Sequence, residues 1–328
     1  MKPPEVSIII PVLNCERYIS YAIKSALNQS FQDFEIIIVD SGSKDQTPQI
    51  VKKFIEKDKR INFIKPSKPG LPYARNYGIE VAKGEYIAFL EADDLWHPDK
   101  LLFQLECLKT KPEVGLVSCY SVTIDENGLL LGWRLGVNVN GMVYEKVIEK
   151  NPISNCSVPL IRHKCLQTMD LFDEKVKYGD DAEMWIRFAK KFPIATVPKA
   201  LVGYRRWPDN RSKDYEKILE DGECILKKVF NDNPTLPKEL YNFCISKSSS
   251  TLAGLCIIDR RYDKAKEYLM KSLNKNKTAF LRDFHMLGIA ILVISALVLR
   301  PFIFEKGFLN LLLPLVFKTK PGKKFIND

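Results

Sequence analysis

Two groups of carboxylates in this chain are placed where they could do chemistry. Glu91, Asp93 and Asp94 follow directly on Tyr86 to Leu90, a short apolar run rich in strand formers, so they sit at the C-terminal end of a buried strand. Ligands bind at that end of an open α/β sheet, and two carboxylates two residues apart can face one hard cation. A divalent metal held there could carry a diphosphate. Asp93 or Asp94 would also suit a simpler role as a cap for the helix entered near Pro98. The second group, Asp180 and Asp181, opens an amphipathic stretch that runs to Ala189. Adjacent carboxylates raise each other's proton affinity, which brings a general base toward the neutral range. A charged helix start with Trp185 and Phe188 turned into the core accounts for the same residues.

The elements that must position these acids are legible as alternating strands and helices. Val6 to Val12 is a β-branched run of the kind buried in a parallel sheet, followed by a loop at Asn14 to Arg17 and an amphipathic helix over Tyr18 to Asn28. Phe34 to Asp40 repeats the pattern and ends in a turn, Ser41-Gly-Ser-Lys-Asp45, before a helix from about Thr47 to Lys57. Ile61 to Ile64 predicts a short third strand. A Pro/Gly loop then leads through Ala74-Arg75-Asn76 into a helix ending near Lys83-Gly84. Further on, Lys100 to Thr110 predicts a helix, and Val114 to Thr123, Asn151 to Ile161 and Thr196 to Arg206 predict strands. This alternation implies βαβ units, right-handed crossovers and a mostly parallel sheet covered on both faces. No Gly-x-Gly-x-x-Gly follows the first strand and no Gly-Lys-Ser/Thr loop occurs, so the usual dinucleotide fingerprint and P-loop are both excluded. A bound nucleotide would be held by side chains and a metal.

Composition narrows the class further. The 328 residues are 46% hydrophobic and 27% charged, which describes a folded chain of one large domain with a smaller second unit. Eight scattered cysteines form no Cys-x-x-Cys pair, so they predict small buried thiols in a reducing compartment, with neither a zinc site nor a disulfide framework. The chain opens on a strand instead of a charged segment and a long apolar core, and the expectation is an amino end that stays in the cytosol.

In order, Val-Ser-Ile-Ile-Ile-Pro-Val-Leu-Asn, Ile-Ile-Ile-Val-Asp-Ser-Gly-Ser-Lys-Asp, Ala-Arg-Asn-Tyr-Gly-Ile, Gly-Glu-Tyr-Ile-Ala-Phe-Leu-Glu-Ala-Asp-Asp and Gly-Asp-Asp-Ala-Glu-Met-Trp-Ile-Arg resemble the motifs of the family 2 glycosyltransferases. These are inverting enzymes of the GT-A fold that use nucleotide-diphosphate sugars, and the resemblance covers about residues 5 to 212. It implies that Pro11, Leu13 and Glu16 line the base and ribose, that Asp40 accepts a hydrogen bond from the base, and that Arg75 lies near the diphosphate. Glu91-Ala-Asp93 takes the place of the family's Asp-x-Asp motif, which positions the ribose and ligates Mg²⁺ or Mn²⁺. Asp181 is the implied general base, with Asp180 supporting it and Trp185 offering an apolar face to the acceptor sugar. The chain departs from the pattern at Glu91, at Ser41 in place of a second aspartate, at Leu13 in place of an aromatic residue, and at Trp207, where many members have a histidine.

The net charge of +10 is concentrated late in the sequence: from Glu216 onward 19 Lys and Arg face 12 Asp and Glu. Tyr215 to Phe230 is helical by pattern. Leu240 to Ile258 and Asp263 to Leu273, with Ala265 and Leu269 facing inward, resemble one tetratricopeptide-type hairpin. Beyond it an apolar run from Met286 to Leu299, a break at Arg300-Pro301, a second apolar stretch to Phe317 and lysines at 318, 320, 323 and 324 fit a segment lying in an anionic membrane interface. A short span or re-entrant hairpin, or a helix folded on the preceding pair, fits the same letters. Lysines beside a greasy helix do not suit a nucleic-acid groove, which would interleave arginine with aromatic residues.

The expectations are therefore a GT-A α/β domain over 1–215, a helical region over 216–280 and a membrane-associating tail over 281–328. The expected activity is metal-assisted inverting transfer from a nucleotide-diphosphate sugar, UDP-sugar favoured, to a hydroxyl of a surface polysaccharide, lipopolysaccharide or lipid-linked glycan, on the cytosolic face of a membrane. A nucleotide-sugar-binding scaffold with impaired turnover is the alternative.

Overall fold

The computed structural model describes residues 2–208, 210–279 and 283–298, together with Phe325. These divide into two compact units at Pro208. In the first, β1 (Val6–Val12) and β2 (Phe34–Asp40) are buried along their whole length, as continuous β-branched runs require. β1 pairs in parallel with β2 on one side and with β4 (Tyr86–Phe89) on the other, and β3 (Ile61–Ile64) pairs in parallel with β2. The helices α1 (Ile19–Leu27), α2 (Thr47–Ile55) and α3 (Leu71–Val81) link them. α3 lies close on β1 because Gly78 faces Ile9: a Cβ there would come within 2.5 Å of the isoleucine Cγ2. That close approach fixes Arg75, one turn earlier on α3.

β5 (Leu95–Trp96), α4 (Lys100–Thr110), β6 (Leu116–Ile124), β7 (Leu130–Leu135), β8 (Asn140–Gly141), α5 (Tyr144–Lys150), β9 (Leu160–Arg162), α6 (His163–Leu166), α7 (Asp180–Lys191) and β10 (Ile194–Arg205) complete the unit. The sheet runs β3-β2-β1-β4-β9-β6-β10-β5, with β7 beside β6 and β8 beside β10. The α/β class is as expected, and the pairing becomes mixed past β4: β9 is antiparallel to both β4 and β6, while β6 and β10 are parallel.

One predicted strand shrinks. Of the stretch assigned from Asn151 to Ile161 only Leu160 and Ile161 fall in a strand, Leu160–Arg162. Asn151 and Ser154 have left-handed backbones, with φ of 34° and 47°, and Asn155 and Ser157 bond to loop and side-chain groups instead of to a ladder. This irregular stretch becomes part of the candidate site.

The second unit contains α8 (Tyr215–Asn231), α9 (Lys238–Ile258), α10 (Tyr262–Lys275) and a further helix, Phe284–Val298. α9 and α10 form the predicted hairpin, with Ala265 and Leu269 buried in a core that includes Leu252, Cys256, Ile289 and Val293. The last helix presents Leu287, Ile291 and Ile294 to solvent. No helix among the described residues is long and apolar enough to cross a membrane. Most of the apolar and basic tail expected over 281–328 lies outside the described residues. All eight cysteines are free thiols.

Candidate active site

The loops that follow β1 and β2 are laced together. Ser41 N donates to Val12 O at 2.9 Å, Asn14 N to Ser43 Oγ at 2.9 Å, Lys44 N to Asn14 Oδ1 at 2.8 Å, and Cys15 N to Thr47 Oγ1 at 2.9 Å. Glu16, expected to line the ribose, uses Oε2 to accept from Gln46 N at the start of α2, at 2.7 Å. Pro11 is buried within β1, beside Val39. Leu13 stands 54% exposed at the rim. Asp40 ends β2 with 1% exposure; its Oδ1 accepts from the amides of Gly42 and Ser43, and its Oδ2 is buried with no hydrogen-bond partner. An orphaned buried acceptor is costly, and a ligand N–H would satisfy it.

Past β4 the acidic run is held from several sides. Glu91 N donates to Ser157 Oγ at 3.0 Å, and that hydroxyl donates to Asp94 Oδ2 at 2.6 Å. Asp94 Oδ1 accepts from Arg205 N at 3.0 Å. Arg205 Nε donates to Asp93 O at 2.7 Å, and Trp207 Nε1 donates to Asp93 Oδ2 at 2.9 Å. Asp94, fully enclosed, is thus a pin between the acidic loop and β10, and burial with the nearby Asp93 charge pushes its carboxyl well above the usual range. Burial also raises Asp93, with Glu91 adding repulsion, while the Trp207 hydrogen bond pulls the other way.

Arg75 joins the two acidic groups read from the sequence. One guanidinium nitrogen donates to Glu91 Oε1 at 2.7 Å and another to Asp180, with the guanidinium 5.2 Å over the Phe172 ring. At 4% exposure this arginine, which the resemblance places near the diphosphate, is enclosed by two acids and orders them. Asp181 makes no ion pair among the described residues and accepts from Ala182 N at 2.8 Å. Burial first, and the Asp180 charge second, push its carboxyl up to about 6, against the opposing pull of Arg75. Cys156 lies among the same charges, and burial raises its thiol strongly.

Trp185 needs correction. Its side chain is 0% exposed and packs edge-on against Phe172, at 5.8 Å between ring centroids; Phe172 in turn meets Phe89. A ring enclosed in the core presents no face to an acceptor, because the helix stripe that carries it is the apolar one. Sequence reasoning also gave no role to Ser157, Arg205 or Cys156. Their only signal was proximity to Pro and Asn in an irregular stretch, or to Trp207.

Among the described residues no group of three or more His, Cys, Asp or Glu side chains forms a metal cage. Mg²⁺ and Mn²⁺ at phosphate sites need less, one or two carboxylates with the phosphate oxygens and water completing the shell. Of the carboxylates Glu91, Asp93, Asp94, Asp180 and Asp181, the Arg75 guanidinium reaches Glu91 and Asp180, while the Arg205 guanidinium reaches the Asp93 carbonyl and its backbone N–H meets the Asp94 carboxylate. Burial with so few compensating cations raises Asp93, Asp94 and Asp181, a cost that a divalent ion would relieve. Asp93 is the residue that would hold it, with Glu91 braced by Arg75 beside it.

The family model described as glycosyl transferase family 2 matches residues 7–158, a span that holds Asp40, Arg75, Glu91 and Asp93 but stops before Asp180. An uncharacterized glycosyltransferase of Haemophilus influenzae is 47% identical over 211 residues, 58% of this chain and 82% of that protein. Another, of Rickettsia bellii, is 33% identical over 210 residues; the match takes in 64% of this chain and 30% of that one, so the chain spans under a third of that relative's length. Two solved structures share the fold. S. aureus TarS 1-349 in complex with UDP-GlcNAc has a TM-score of 0.58 at 18% identity, covering 84% of this chain and 81% of that chain. The mannosyltransferase PcManGT of Pyrobaculum calidifontis, in complex with GDP-Man and Mn²⁺, has a TM-score of 0.59 at 19% identity, covering 84% and 87%. With the family model over residues 7–158 and a glycosyltransferase relative covered to 82% at 47% identity, the chain belongs to glycosyl transferase family 2.

Proposed function

We propose that the protein is an inverting glycosyltransferase that moves a sugar from a nucleotide-diphosphate sugar to a hydroxyl acceptor. The observation that carries this is the Arg75 bridge, which brings Glu91 and Asp180 into one buried acidic site beside Asp181. Asp40 Oδ2 takes an N–H of the base, and the loop at Pro11, Leu13 and Glu16 borders the nucleoside. A UDP-sugar is the first candidate, and uracil offers such an N–H, as guanine does; the complexes of TarS with UDP-GlcNAc and of PcManGT with GDP-Man support a sugar nucleotide in general.

In the proposed reaction Asp181 removes the acceptor hydroxyl's proton as its oxygen attacks the anomeric carbon. The bond from that carbon to the diphosphate breaks on the opposite face, and the nucleoside diphosphate leaves with the electron pair. Asp181, with a pKa of about 6, is ionised and still basic near neutrality. Asp93 would hold Mg²⁺ or Mn²⁺, which when bound neutralises charge on the leaving diphosphate. Asp180 and Glu91, tied through Arg75, keep the two halves of the site in register.

A lipid-linked or surface-glycan acceptor at the cytosolic face of a membrane is supported by the solvent-facing Leu287, Ile291 and Ile294 on the helix Phe284–Val298 and by the apolar, lysine-rich sequence that follows it. The test is isothermal titration of UDP, GDP and UDP-sugars with and without Mn²⁺, followed by donor turnover. Binding that needs Mn²⁺ and Asp93, with Asp181→Ala retaining binding and losing turnover, supports the assignment. Absence of nucleotide binding under every metal condition overturns it, and binding without any turnover in the wild type returns the scaffold alternative.

A further inference from the structure

The N-terminal edge of the sheet, at the opposite ends of β1 and β4 from the carboxylates, holds a second cavity of about 610 Å³. It is bounded by the segment before β1, by the turn from Lys83 to Tyr86 that enters β4, and by the junction of β9 with α6. Five Lys or Arg side chains, at 2, 83, 109, 162 and 164, line it against two glutamates, Glu5 and Glu85.

The floor is rigid. Arg162 is 8% exposed, and its guanidinium donates to Val114 O at 2.9 Å, Leu108 O at 2.7 Å and the Tyr86 hydroxyl at 3.2 Å. His163 Nδ1 lies 3.0 Å from Gly84 O. The turn that carries Lys83 is equally fixed: Lys83 N donates to the buried Glu35 at 2.9 Å and Gly84 N to Ser7 Oγ at 2.8 Å. A Cβ at Gly84 would meet Ser7 N at 2.5 Å, so the turn cannot be replaced by a bulkier one.

The cations are unevenly matched. Lys109 pairs with Glu5 at 2.7 Å, and Arg162 lies 3.9 Å from the largely exposed Glu85. Lys2, Lys83 and Lys164 are exposed on the rim and make no ion pair among the described residues. Like charges held around a concavity repel one another and focus a positive potential in it. Flexible ammonium groups over a fixed guanidinium floor suit phosphate, which lysine meets as a point charge.

We propose that this cavity is a second anion site that takes a phosphate-bearing ligand, separate from the donor site and independent of divalent metal. The phosphate comes either from a soluble polyphosphorylated molecule or from an anionic lipid headgroup.

The test uses the full chain in EDTA. Tripolyphosphate is titrated calorimetrically, and sedimentation is measured with phosphatidylglycerol and with phosphatidylcholine vesicles. The variants are K83E/K164E, K83R/K164R and Asp93→Ala. Tripolyphosphate binding that falls at least tenfold in K83E/K164E, persists in K83R/K164R and is unchanged in Asp93→Ala supports the site with a soluble ligand. Selective loss of sedimentation with phosphatidylglycerol in K83E/K164E, restored in K83R/K164R, supports it with a headgroup. If the wild type binds neither probe, or K83E/K164E behaves as the wild type with both, the proposal fails. All the substituted lysines are exposed, so unchanged melting temperatures will show that charge, and not folding, is being read.

Discussion

Trp207 Nε1 donates to Asp93 Oδ2 at 2.9 Å, so the carboxylate proposed to hold the metal is oriented by an indole. An indole N–H is a donor only and cannot itself coordinate a cation. It can fix Asp93 and favour its ionised form, working against the burial that raises its pKa. Tyr18 packs against the Trp207 ring at 5.4 Å between centroids, and Arg205 lies 4.8 Å over Tyr18. The indole is therefore a supported part of the site. Trp207→Phe keeps the packing and removes the donor. A hydrogen bond to a charged group contributes about 1.5–3 kcal/mol, so Mn²⁺-dependent UDP affinity should fall about 10- to 150-fold. The loss should deepen as pH drops from 7.5 to 6, because Asp93 without its donor takes up a proton more readily. Calorimetry at the two pH values checks this; equal affinity for variant and wild type at both would remove Trp207 from the site.

Arg75 presents a different balance, since it is enclosed with two acids. Replacing one partner of a buried ion pair costs about 3–5 kcal/mol, because the other charge is left without compensation. Arg75→Met should therefore destabilise the fold by roughly that amount at pH 7.5. Urea unfolding of variant and wild type at pH 7.5 measures the difference; a variant as stable as the wild type would show that the bridge does not support the fold.

How much of this was legible follows from the kind of interaction involved. Val6–Val12 and Phe34–Asp40 announced themselves because a strand buried on both faces is an unbroken apolar run, and Glu91, Asp93, Asp180 and Asp181 because acids at element ends are conspicuous. The partner of Arg75 was not legible: its contact with Asp180 spans 105 residues in sequence, and no local pattern records it. Trp185 misled because an indole on a helix beside two aspartates looks the same whether its face is turned to a ligand or to Phe172. The stretch from Asn151 to Ser157 misled in the other direction. Its apolar residues suggested a strand, whereas left-handed Asn151 and Ser154 bend it so that Ser157 can reach both Glu91 N and Asp94.

Asp40 offers a test of the nucleoside side alone. Its Oδ1 is engaged by the amides of Gly42 and Ser43, and Oδ2 is the buried acceptor without a partner. Asp40→Asn keeps the volume but replaces one acceptor oxygen by an NH₂ group. Whichever way the amide turns, either the loop amides or the base N–H then faces a donor. An unmatched buried polar group costs about 1–3 kcal/mol, so UDP affinity should fall roughly 5- to 150-fold. Binding of Mn²⁺ with inorganic pyrophosphate, which has no base, should stay within about twofold. Calorimetry with the two ligands separates a base-recognition defect from general damage to the site, since general damage would weaken both alike.

Asp181 joins stability to catalysis with opposite signs. Its folded-state pKa is raised from 3.8 to about 6, mainly by burial and then by Asp180. The folded chain therefore holds this proton more tightly than the unfolded chain does, and the associated stability is present below about pH 4 and lost as pH rises to about 6. Above that pH the ionised, desolvated carboxylate is a standing cost. Asp181→Asn removes the charge, so it should stabilise the fold at pH 7.5 by about 1–3 kcal/mol, the scale set by two pKa units at 1.36 kcal/mol each. The same substitution removes the proposed base. Donor turnover onto an acceptor should fall about 10²- to 10⁴-fold, with UDP affinity within about twofold of wild type. In the wild type the rate should climb through an acid limb centred near pH 6 and level off above pH 7. Urea unfolding, calorimetry and a pH–rate profile read the three quantities separately. A variant that loses turnover and stability together would place Asp181 in the framework of α7; one that gains stability while losing turnover and the acid limb would identify it as the base.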